Sequence, residues 1–373
     1  MRGSSLHRVP PFKRNLDVNP FYFHFHSLLD RASTLCRIAK PPMLARLKGQ
    51  SFTIGLLLAV ALAFAFPTHG ASGGALRTEI ATKIGIALIF FFQGLSLETR
   101  QLIQSASHFR LHLFCQSWIF ILSPALMLAI LFVFGRWIPA ELQPGLLFLS
   151  ILPTTISSST TLADSSAGDA GAALFSAAFA NIIGVAISPL WCLALFSDTS
   201  GRFPAFDAMV AKIAFYILLP LLFGQLIRPI FSGRIADWID VLKRANNALI
   251  LFVVYAAFSN SVVDGLWQSF SWATILQAFF LSAAFLLLLS SLVWTSSELS
   301  AKELPLRISA FYCGSQKTLA AGVPMAAIIF QGQSGATQAS LIILPLMLYH
   351  SLQLFLAGIV KPRLAAKVAR LSA

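Results

Sequence analysis

The sequence predicts an all-α polytopic membrane protein with ten transmembrane helices. Hydrophobic residues make up 57% of its 373 residues and charged residues only 11%, with a mean hydropathy of +0.77. Soluble domains carry about 25% charged residues, so lipid is the expected solvent. The apolar runs are each close to the length of one bilayer crossing, about 20 residues. Two of these runs are interrupted by polar residues, and we expect the function to lie there.

Residues 1–42 differ from the rest, since they mix prolines with basic residues and contain no apolar run long enough to span a membrane or to form a signal peptide. We expect a disordered basic tail and consider Met43 an alternative start. Residues 21–29 fit a short interfacial helix. His24 and His26 within it lack the further ligands that a metal site needs.

Ten predicted spans divide into two halves of five: residues 43–196, a connecting loop at 197–209, and residues 210–373. Because five is odd, the second half enters the membrane from the opposite side, so any kinship between the halves is an inverted repeat. The predicted spans are 52–66, 80–95, 111–134, 146–164, 170–196, 210–231, 248–263, 272–296, 306–330 and 340–360.

The net charge of +13 is explained by membrane topology. With the N-terminus inside, about 21 Lys and Arg face the cytoplasm and about 5 the other side, and without the tail the ratio is still roughly 12 to 5. We expect both termini to be cytoplasmic and the protein to lie in the plasma membrane, which in bacteria is the inner membrane. The basic residues lie in the tail and short loops, without aromatic interleaving, so no nucleic-acid partner is predicted.

The fourth predicted span is interrupted behind Pro153, where hydroxyl and small residues replace the apolar ones. Irregular backbone at membrane depth survives only where protein buries it or water fills a cavity. The fourth span of the second half has a matching interruption at 311–325. Paired interruptions of this kind mark the binding site of many transporters. We therefore expect two broken helices, discontinuous at Pro153 and Gly314, to cross near the midplane and present their dipole ends to a charged substrate or ion.

Three motifs carry a resemblance to a known family: Leu152-Pro-Thr-Thr-Ile-Ser-Ser-Ser159, Ala172-Ala-Leu-Phe175, and Cys313-Gly-Ser-Gln-Lys-Thr318 followed by Gly322-Val-Pro-Met325. Over residues 44–367 the chain resembles the bile acid:sodium symporter superfamily, most closely its SBF-like branch, which contains vertebrate solute carrier family ten member seven. The resemblance implies two inverted five-helix repeats, with a panel domain from spans one, two, six and seven and a core domain from the other six.

The resemblance also implies a secondary active transporter of organic anions or other small solutes, working by alternating access. The alternative is a regulator of cation homeostasis that keeps the transporter fold without net transport. No cofactor is expected beyond Na⁺ or H⁺ as a coupling ion. The partners are the lipid bilayer and an organic anion, and the sequence leaves a monomer and a homodimer open.

Only part of the family's sodium site can be carried over. Gln116, Ser158, Ser159 and Gln316 occupy ligand positions of the symporters. The glutamate that the symporters share between two sodium ions falls at Tyr312. The two hydroxyl ligands of the fifth span fall at Ala173 and Ala177, with Ser176 and Asn181 nearby as substitutes on another face of the helix.

The candidate substrate-binding or ion-binding residues all lie in the third, fourth, fifth and ninth spans. They are Gln116, Thr154, Thr155, Ser157, Ser158, Ser159, Thr160, Ser176, Asn181, Tyr312, Ser315, Gln316 and Lys317. Structural roles compete, because hydroxyl side chains in membrane helices often bond their own backbone or a neighbouring helix. Cys115, Cys192 and Cys313 fit as small apolar fillers, since their spacing suggests neither metal nor redox chemistry.

An enzyme is not predicted. The zinc-binding pattern His-Glu-x-x-His and the Gly-x-Gly-Asp pattern of intramembrane proteases are both missing from the sequence. Asp164 and Asp169 are the nearest approach to a catalytic pair. Their spacing in a Gly-containing connection instead suggests solvated side chains or a cap for the fifth helix.

Lys317 is the basic residue placed deepest inside a predicted span. A charge at the bilayer centre costs about 2.5 to 3.5 kcal/mol on insertion scales, so it needs a partner inside the bundle. Snorkelling to a membrane face is the alternative. We expect the ammonium to stand in for a bound cation, paired with hydroxyls and carbonyls of residues 154–161 or with a substrate anion. Coupling would then run through protonation of Lys317 and not through two sodium ions.

Overall fold

The computed structural model describes residues 51–96, 108–196, 206–268, 272–330 and 339–371, so the predicted tail, Met43 and most of the connecting loop lie outside the described residues. Within these ranges every regular element is a helix. The α-helices are α1 Ser51–Ala65, α2 Pro67–Gly70, α3 Thr78–Ser96, α4 Phe109–Ser117, α5 Ser123–Phe134, α6 Gln143–Ser150, α7 Ile156–Ser165, α8 Ala170–Phe196, α9 Phe206–Ile213, α10 Leu219–Val263, α11 Trp272–Ser296, α12 Leu304–Ser315, α13 Leu319–Ile329 and α14 Ala339–Leu371.

Two kinds of irregular turn complete the elements. π-helical turns at Trp118–Leu122 and Ala214–Leu218 join α4 to α5 and α9 to α10. Short 3₁₀ turns follow α5, α10 and α11, at Gly135–Trp137, Leu266–Gln268 and Ser297–Leu299. The π-helical turn in the third span lies beside the functional site, where such turns are often found.

The predicted interruptions of the fourth and ninth spans are present. The backbone leaves the helix between α6 and α7, at residues 151–155, and between α12 and α13, at residues 316–318. Pro153 lies in the first gap as predicted, whereas Gly314 ends up in the last turn of α12, just before the second gap. We call these two gaps the first break and the second break.

Most of the described spans agree with the sequence, and two of them, α8 and α11, have the predicted ends. The tenth span is longer than predicted, because α14 continues to Leu371. Helical propensity favours the extension after Pro362, since residues 363–371 are rich in Ala, Lys, Arg and Leu.

The sixth and seventh predicted spans, residues 210–231 and 248–263, are connected by helical residues. Helix α10 is continuous from Leu219 to Val263 and contains Pro229. It is not straight, because Gly94 of α3 lies against Leu221 and Gly85 of α3 lies against Leu249. A straight helix would separate Leu221 from Leu249 by about 42 Å, whereas nine residues of α3 cover about 14 Å. The chain therefore bends back while remaining helical.

Seven helical stretches of the described chain are long and apolar enough to cross a membrane. They are Thr78–Ser96, Phe109–Trp137, Ala170–Phe196, Val210–Ile230, Asp240–Val263, Trp272–Leu299 and Ala339–Leu371. The three other predicted spans fall short for a structural reason, since α1 has 15 residues and each interrupted span is divided into two short helices. The chain is a polytopic membrane protein, and the count of ten spans stays a prediction.

The buried apolar side chains form two clusters. The larger cluster includes residues of α1, α3 and α10 together with residues of α6 and α13. The smaller cluster draws its buried members from α4, the π-helical turn that follows it, α7, α8, α12 and α14. All of these elements belong to the predicted core domain. Both breaks lie between helices that contribute to this packing.

Helices α3 and α10 meet at two glycines. Gly94 lies against the backbone of Leu221, and Gly224 lies against the backbone of Phe91 and Leu95. A methyl group at either glycine would overlap the facing main chain. Small residues let transmembrane helices approach in this way, which is the basis of close helix pairing in lipid.

We expect Gly94→Val to lower the thermal unfolding temperature of the purified protein in detergent, because overpacking a tight contact costs about 1 to 3 kcal/mol. Gly358→Ala is the matched control, since a side chain at Gly358 in α14 would meet no atom within 4 Å. Equal unfolding temperatures for the two variants would contradict the close packing of α3 against α10.

Candidate functional site: the crossing of two interrupted helices

The first break exposes five consecutive carbonyl groups, and each of them accepts a hydrogen bond from another part of the chain. Such full satisfaction is required of backbone away from water. The donors are Ser123 Oγ (2.9 Å) and Lys317 Nζ (2.7 Å) to Ser150, Ser188 Oγ (2.8 Å) to Ile151, Lys317 Nζ (2.9 Å) to Leu152, Thr318 N (2.9 Å) to Pro153, and Asn181 Nδ2 (2.8 Å) to Thr154. The second break thus supplies three of these donors, so the two breaks cross in direct contact.

The second break is held by one turn of α14. The Gln353 side chain accepts a hydrogen bond from Lys317 N (2.9 Å) and donates one to Lys317 O (3.1 Å), as a second peptide group would. Tyr349 Oη donates to the carbonyl of Ser315 at 2.6 Å. His350 Nδ1 lies 3.0 Å from Gln353 Nε2. Because the amide nitrogen of Gln353 can only donate, His350 Nδ1 is the acceptor.

The Lys317 ammonium is surrounded by carbonyl oxygens. Its side chain is 0% exposed, and Nζ donates to Ile119 O (3.3 Å), Ser150 O (2.7 Å) and Leu152 O (2.9 Å). Lys317 therefore faces the crossing and does not snorkel. The expected partners at residues 154–161 are wrong, because the Nζ contacts lie just before that stretch and in the third span. The C-terminal end of α6 carries the partial negative charge of a helix dipole, which attracts the ammonium there.

The carbonyl of Ile119 is available because of Pro124. In the π-helical turn Trp118–Leu122 the hydrogen bonds run from residue i+5, as Ser123 N to Trp118 O does. The next donor in that pattern is residue 124, a proline without an N–H. Ile119 O then accepts from Lys317, and Phe120 O accepts from Trp191 Nε1 at 2.9 Å.

Three predicted hydroxyl residues gather around the amide of Gln316. Thr155 Oγ1 (3.0 Å), Ser158 Oγ (2.8 Å) and Ser159 Oγ (3.2 Å) all lie within hydrogen-bond distance of Gln316 Oε1. Thr155 and Ser158 also contact each other, and Thr154 Oγ1 lies 3.1 Å from Ser159 Oγ. This hydroxyl cluster joins α7 to the second break and combines four of the predicted ligand residues.

The remaining candidates lie on both sides of this cluster. Ser315 donates to Phe311 O of its own helix at 2.6 Å, the structural role that competed with binding. Thr160 is half-buried, and its Oγ1 has no hydrogen-bond partner among the described residues. Ser157 is exposed. Tyr312 sends its hydroxyl to Ser166 Oγ at 2.9 Å, at the C-terminal end of α7 and away from the hydroxyl cluster.

The third and fifth spans place a second polar group beside the first break. Gln116 Nε2 donates to Ser176 O at 3.1 Å, while Gln116 Oε1 is buried and has no hydrogen-bond partner among the described residues. Ser176 Oγ lies 2.6 Å from His112 Nδ1. Asn181 accepts a hydrogen bond of 3.4 Å from Gln93 of α3, which ties the predicted panel to the core.

The acidic and thiol residues show no catalytic arrangement in the described chain. Asp169 Oδ1 accepts from Ala172 N at 2.8 Å, which caps the first turn of α8 as predicted, and Asp164 is exposed. The cysteines Cys115, Cys192 and Cys313 are buried and free. In the ranges searched, no three His, Cys, Asp or Glu side chains come together as a metal site.

The family model of the SBF-like CPA transporter family matches residues 50–366. The chain belongs to this family. It is 33% identical over 331 residues to the putative symporter YfeH of Escherichia coli, covering 86% of this chain and 95% of that protein. It is 32% identical over 331 residues to sodium/bile acid cotransporter 7-A of Xenopus laevis, with 86% and 93% covered. An uncharacterized protein of Pseudomonas aeruginosa, PA2026, is 34% identical over 321 residues, with 85% and 93% covered.

Sequence reasoning about this SBF-like chain missed the side chains that hold the breaks. Gln353 and Tyr349 lie in a span that reads as apolar, and Ser188 and Ser123 resemble ordinary helix-packing serines. One signal was available for Gln353. The amide of a glutamine within an apolar span needs hydrogen-bond partners. Irregular backbone in another span has N–H and C=O groups that need partners of the same kind.

We expect Gln353→Leu to lower the thermal unfolding temperature strongly, because it leaves the N–H and C=O of Lys317 buried without partners. Each such group costs about 1 to 3 kcal/mol. Ser351→Ala is the matched control on the same turn, since Ser351 only back-bonds to Met347 O in its own helix. If Gln353→Leu unfolds at the temperature of Ser351→Ala, the pairing of Gln353 with the second break does not stabilise the fold.

Proposed function

We propose that this member of the SBF-like transporter family is a secondary active carrier that moves organic anions or other small solutes by alternating access. The observation that carries the proposal is the crossing of two helix breaks inside the core. Discontinuous helices that meet in this way form the substrate and ion sites of many secondary transporters. The names of the relatives, a symporter and a sodium/bile acid cotransporter, agree with transport.

The polarity of the crossing favours an anion. Helices α7 and α13 both begin at a break, and neither N-terminus has a side-chain cap. The second residues of the two helices, Ser157 and Ala320, are both exposed. Helix N-termini attract anions through their free N–H groups and dipole. The C-terminal carbonyls of α6 point to Lys317, so they do not offset this positive character.

An inverted repeat is supported by the way each break is held. Side chains of α8, the fifth predicted span, satisfy carbonyls of the first break, and side chains of α14, the tenth, satisfy the second. In each half, the fifth predicted span holds the break of the fourth, and a structural repeat predicts this correspondence. We propose ten spans in two inverted five-helix repeats with a panel and a core, and Gln93 of α3 as a contact between them.

We also propose that both termini face the cytoplasm, on the charge asymmetry described above. Reporter fusions before Met1 and after Ala373 should both be cytoplasmic, and a reporter in the loop at 197–207 should be on the opposite side. A mixed result for the two termini would contradict an even number of spans.

Coupling in this proposal depends on Lys317. A protonated amine has three N–H donors for its three carbonyl partners, whereas a neutral amine has two and no charge. Loss of the proton would loosen the crossing, so a proton, and not sodium, is the proposed coupling ion. In the described part of the chain, the other titratable side chains near the second break include His350, Tyr349, Tyr312 and Cys313. Sodium at Gln116, Ser158, Ser159 and Gln316 is the competing coupling site.

The test begins with a thermal-shift screen of purified protein against organic anions, with and without sodium. Anions that shift the unfolding temperature are then loaded into proteoliposomes, and we expect them to exchange across the membrane. Ligand binding with no flux of any ligand would favour the non-transporting regulator. Chemical conversion of the ligand without a gradient would indicate an enzyme.

Flux of the transported anion by wild type and Lys317→Ala should then be measured over a range of sodium concentrations and pH. We expect wild-type flux to depend on pH and not on sodium, and this pH dependence to disappear with Lys317→Ala. Flux that rises steeply with sodium at constant pH, and survives loss of the lysine, would contradict lysine coupling and favour the sodium site.

A further inference from the structure

The ammonium of Lys317 occupies an environment built from main-chain oxygens alone. Its hydrogen bonds go to the carbonyls of Ile119, Ser150 and Leu152, and no carboxylate pairs with it in the described part of the chain. Buried lysines are ordinarily paired with an acid or lose their proton. Here the compensation comes from three peptide dipoles that point at one position.

Each of these carbonyls lacks a helical partner for a local reason. Ser150 O lies at the C-terminal end of α6, and Leu152 O lies in the first break. Ile119 O is freed by the π-helical turn and Pro124. The three oxygens therefore belong to backbone whose course is set by the breaks and the π-helical turn.

Convergent carbonyls without helical partners are the chemistry that binds monovalent cations in membrane proteins, where they replace the hydration shell of the ion. The unwound carbonyls and helix C-terminal ends of broken helices serve the same purpose in secondary transporters. Lys317 Nζ occupies the position between the three carbonyl oxygens where such an ion would bind, and the lysine side chain connects it to the second break.

We propose that Ile119, Ser150 and Leu152 form a monovalent-cation site for which Lys317 supplies the resident cation, and that shortening Lys317 opens this site to a free ammonium-type ion. The inference goes beyond transport, because the site exists whether or not the chain carries a solute. Ammonium is the best-matched probe, since its N–H groups can donate to the same three oxygens at the distances measured for Nζ.

Purified wild type, Lys317→Ala and Lys317→Met are compared by thermal unfolding in choline, sodium, potassium, ammonium and methylammonium chloride at constant pH and ionic strength. Alanine leaves room for an ion, whereas methionine fills most of the space without charge. Lys212→Ala serves as a matched control, because Lys212 lies at the end of α9 and not at the crossing.

We expect Lys317→Ala to unfold well below wild type in choline and to recover by several degrees in ammonium or methylammonium, saturating with concentration as a binding site does. Wild type, Lys317→Met and Lys212→Ala should respond to the five salts alike. Lys317→Met should stay below wild type in all of them, because the three carbonyls then have no cation.

The proposal would be overturned by a Lys317→Ala protein that no cation stabilises beyond the response of wild type, or by a Lys317→Met protein as stable as wild type in choline. If Lys317→Ala cannot be recovered in choline, it is purified in ammonium chloride throughout. Recovery there supports the site, and failure in every salt contradicts it. Flux plays no part in this readout, so an absence of transport would leave the result standing.

Discussion

The contact between the Lys317 ammonium and the carbonyls of the first break is the interaction on which the rest of the core depends. Two helices are broken inside an apolar protein, and each break exposes main-chain groups that lipid cannot satisfy. One side chain from the second break donates to the carbonyls of Ser150 at the end of α6, Leu152 in the first break and Ile119 in the π-helical turn. The three carbonyl dipoles stabilise the buried ammonium of Lys317, and the ammonium in turn satisfies carbonyls that lack helical partners.

The remaining groups of the breaks are satisfied by a small number of polar side chains on otherwise apolar helices. Gln353 reproduces the hydrogen bonding of a peptide unit, and Asn181 and Ser188 each take one carbonyl. Because a hydrogen bond in low dielectric is costly to lose, each of these groups fixes the position of the backbone it contacts. These hydrogen bonds satisfy the irregular backbone, and this lets non-helical segments form a defined site within the membrane.

The sequence predicted the features that depend mainly on residues close together in the chain. Pro153 is followed by hydroxyl and small residues inside an otherwise apolar span, so the first break could be predicted, and the cost of a charge in lipid favoured a Lys317 that faces the crossing. The limits of α8 and α11 follow from abrupt changes in hydropathy. The carbonyl partners of the Lys317 side chain could not be predicted, because one of them is a carbonyl that Pro124 frees in another span. The helical connection between the sixth and seventh predicted spans was not predicted, because hydropathy marks the ends of apolar runs and not the ends of helices.

The hydroxyl cluster and the panel contact differ in strength, and this difference bears on how the proposed carrier would move. Within the core, Gln316 is held at 2.8 to 3.2 Å by three hydroxyls, and the two breaks share bonds of 2.7 to 2.9 Å. Across to α3, the hydrogen bond from Gln93 to Asn181 is 3.4 Å long. Hydrogen bonds weaken as they lengthen, so the hydrogen bond across to α3 is weaker than those at the crossing. Since Asn181 also holds the Thr154 carbonyl, a panel that moves away from the core would pull on the first break through this one side chain. Motion of the panel against an intact crossing is therefore the least costly rearrangement that this polar network permits.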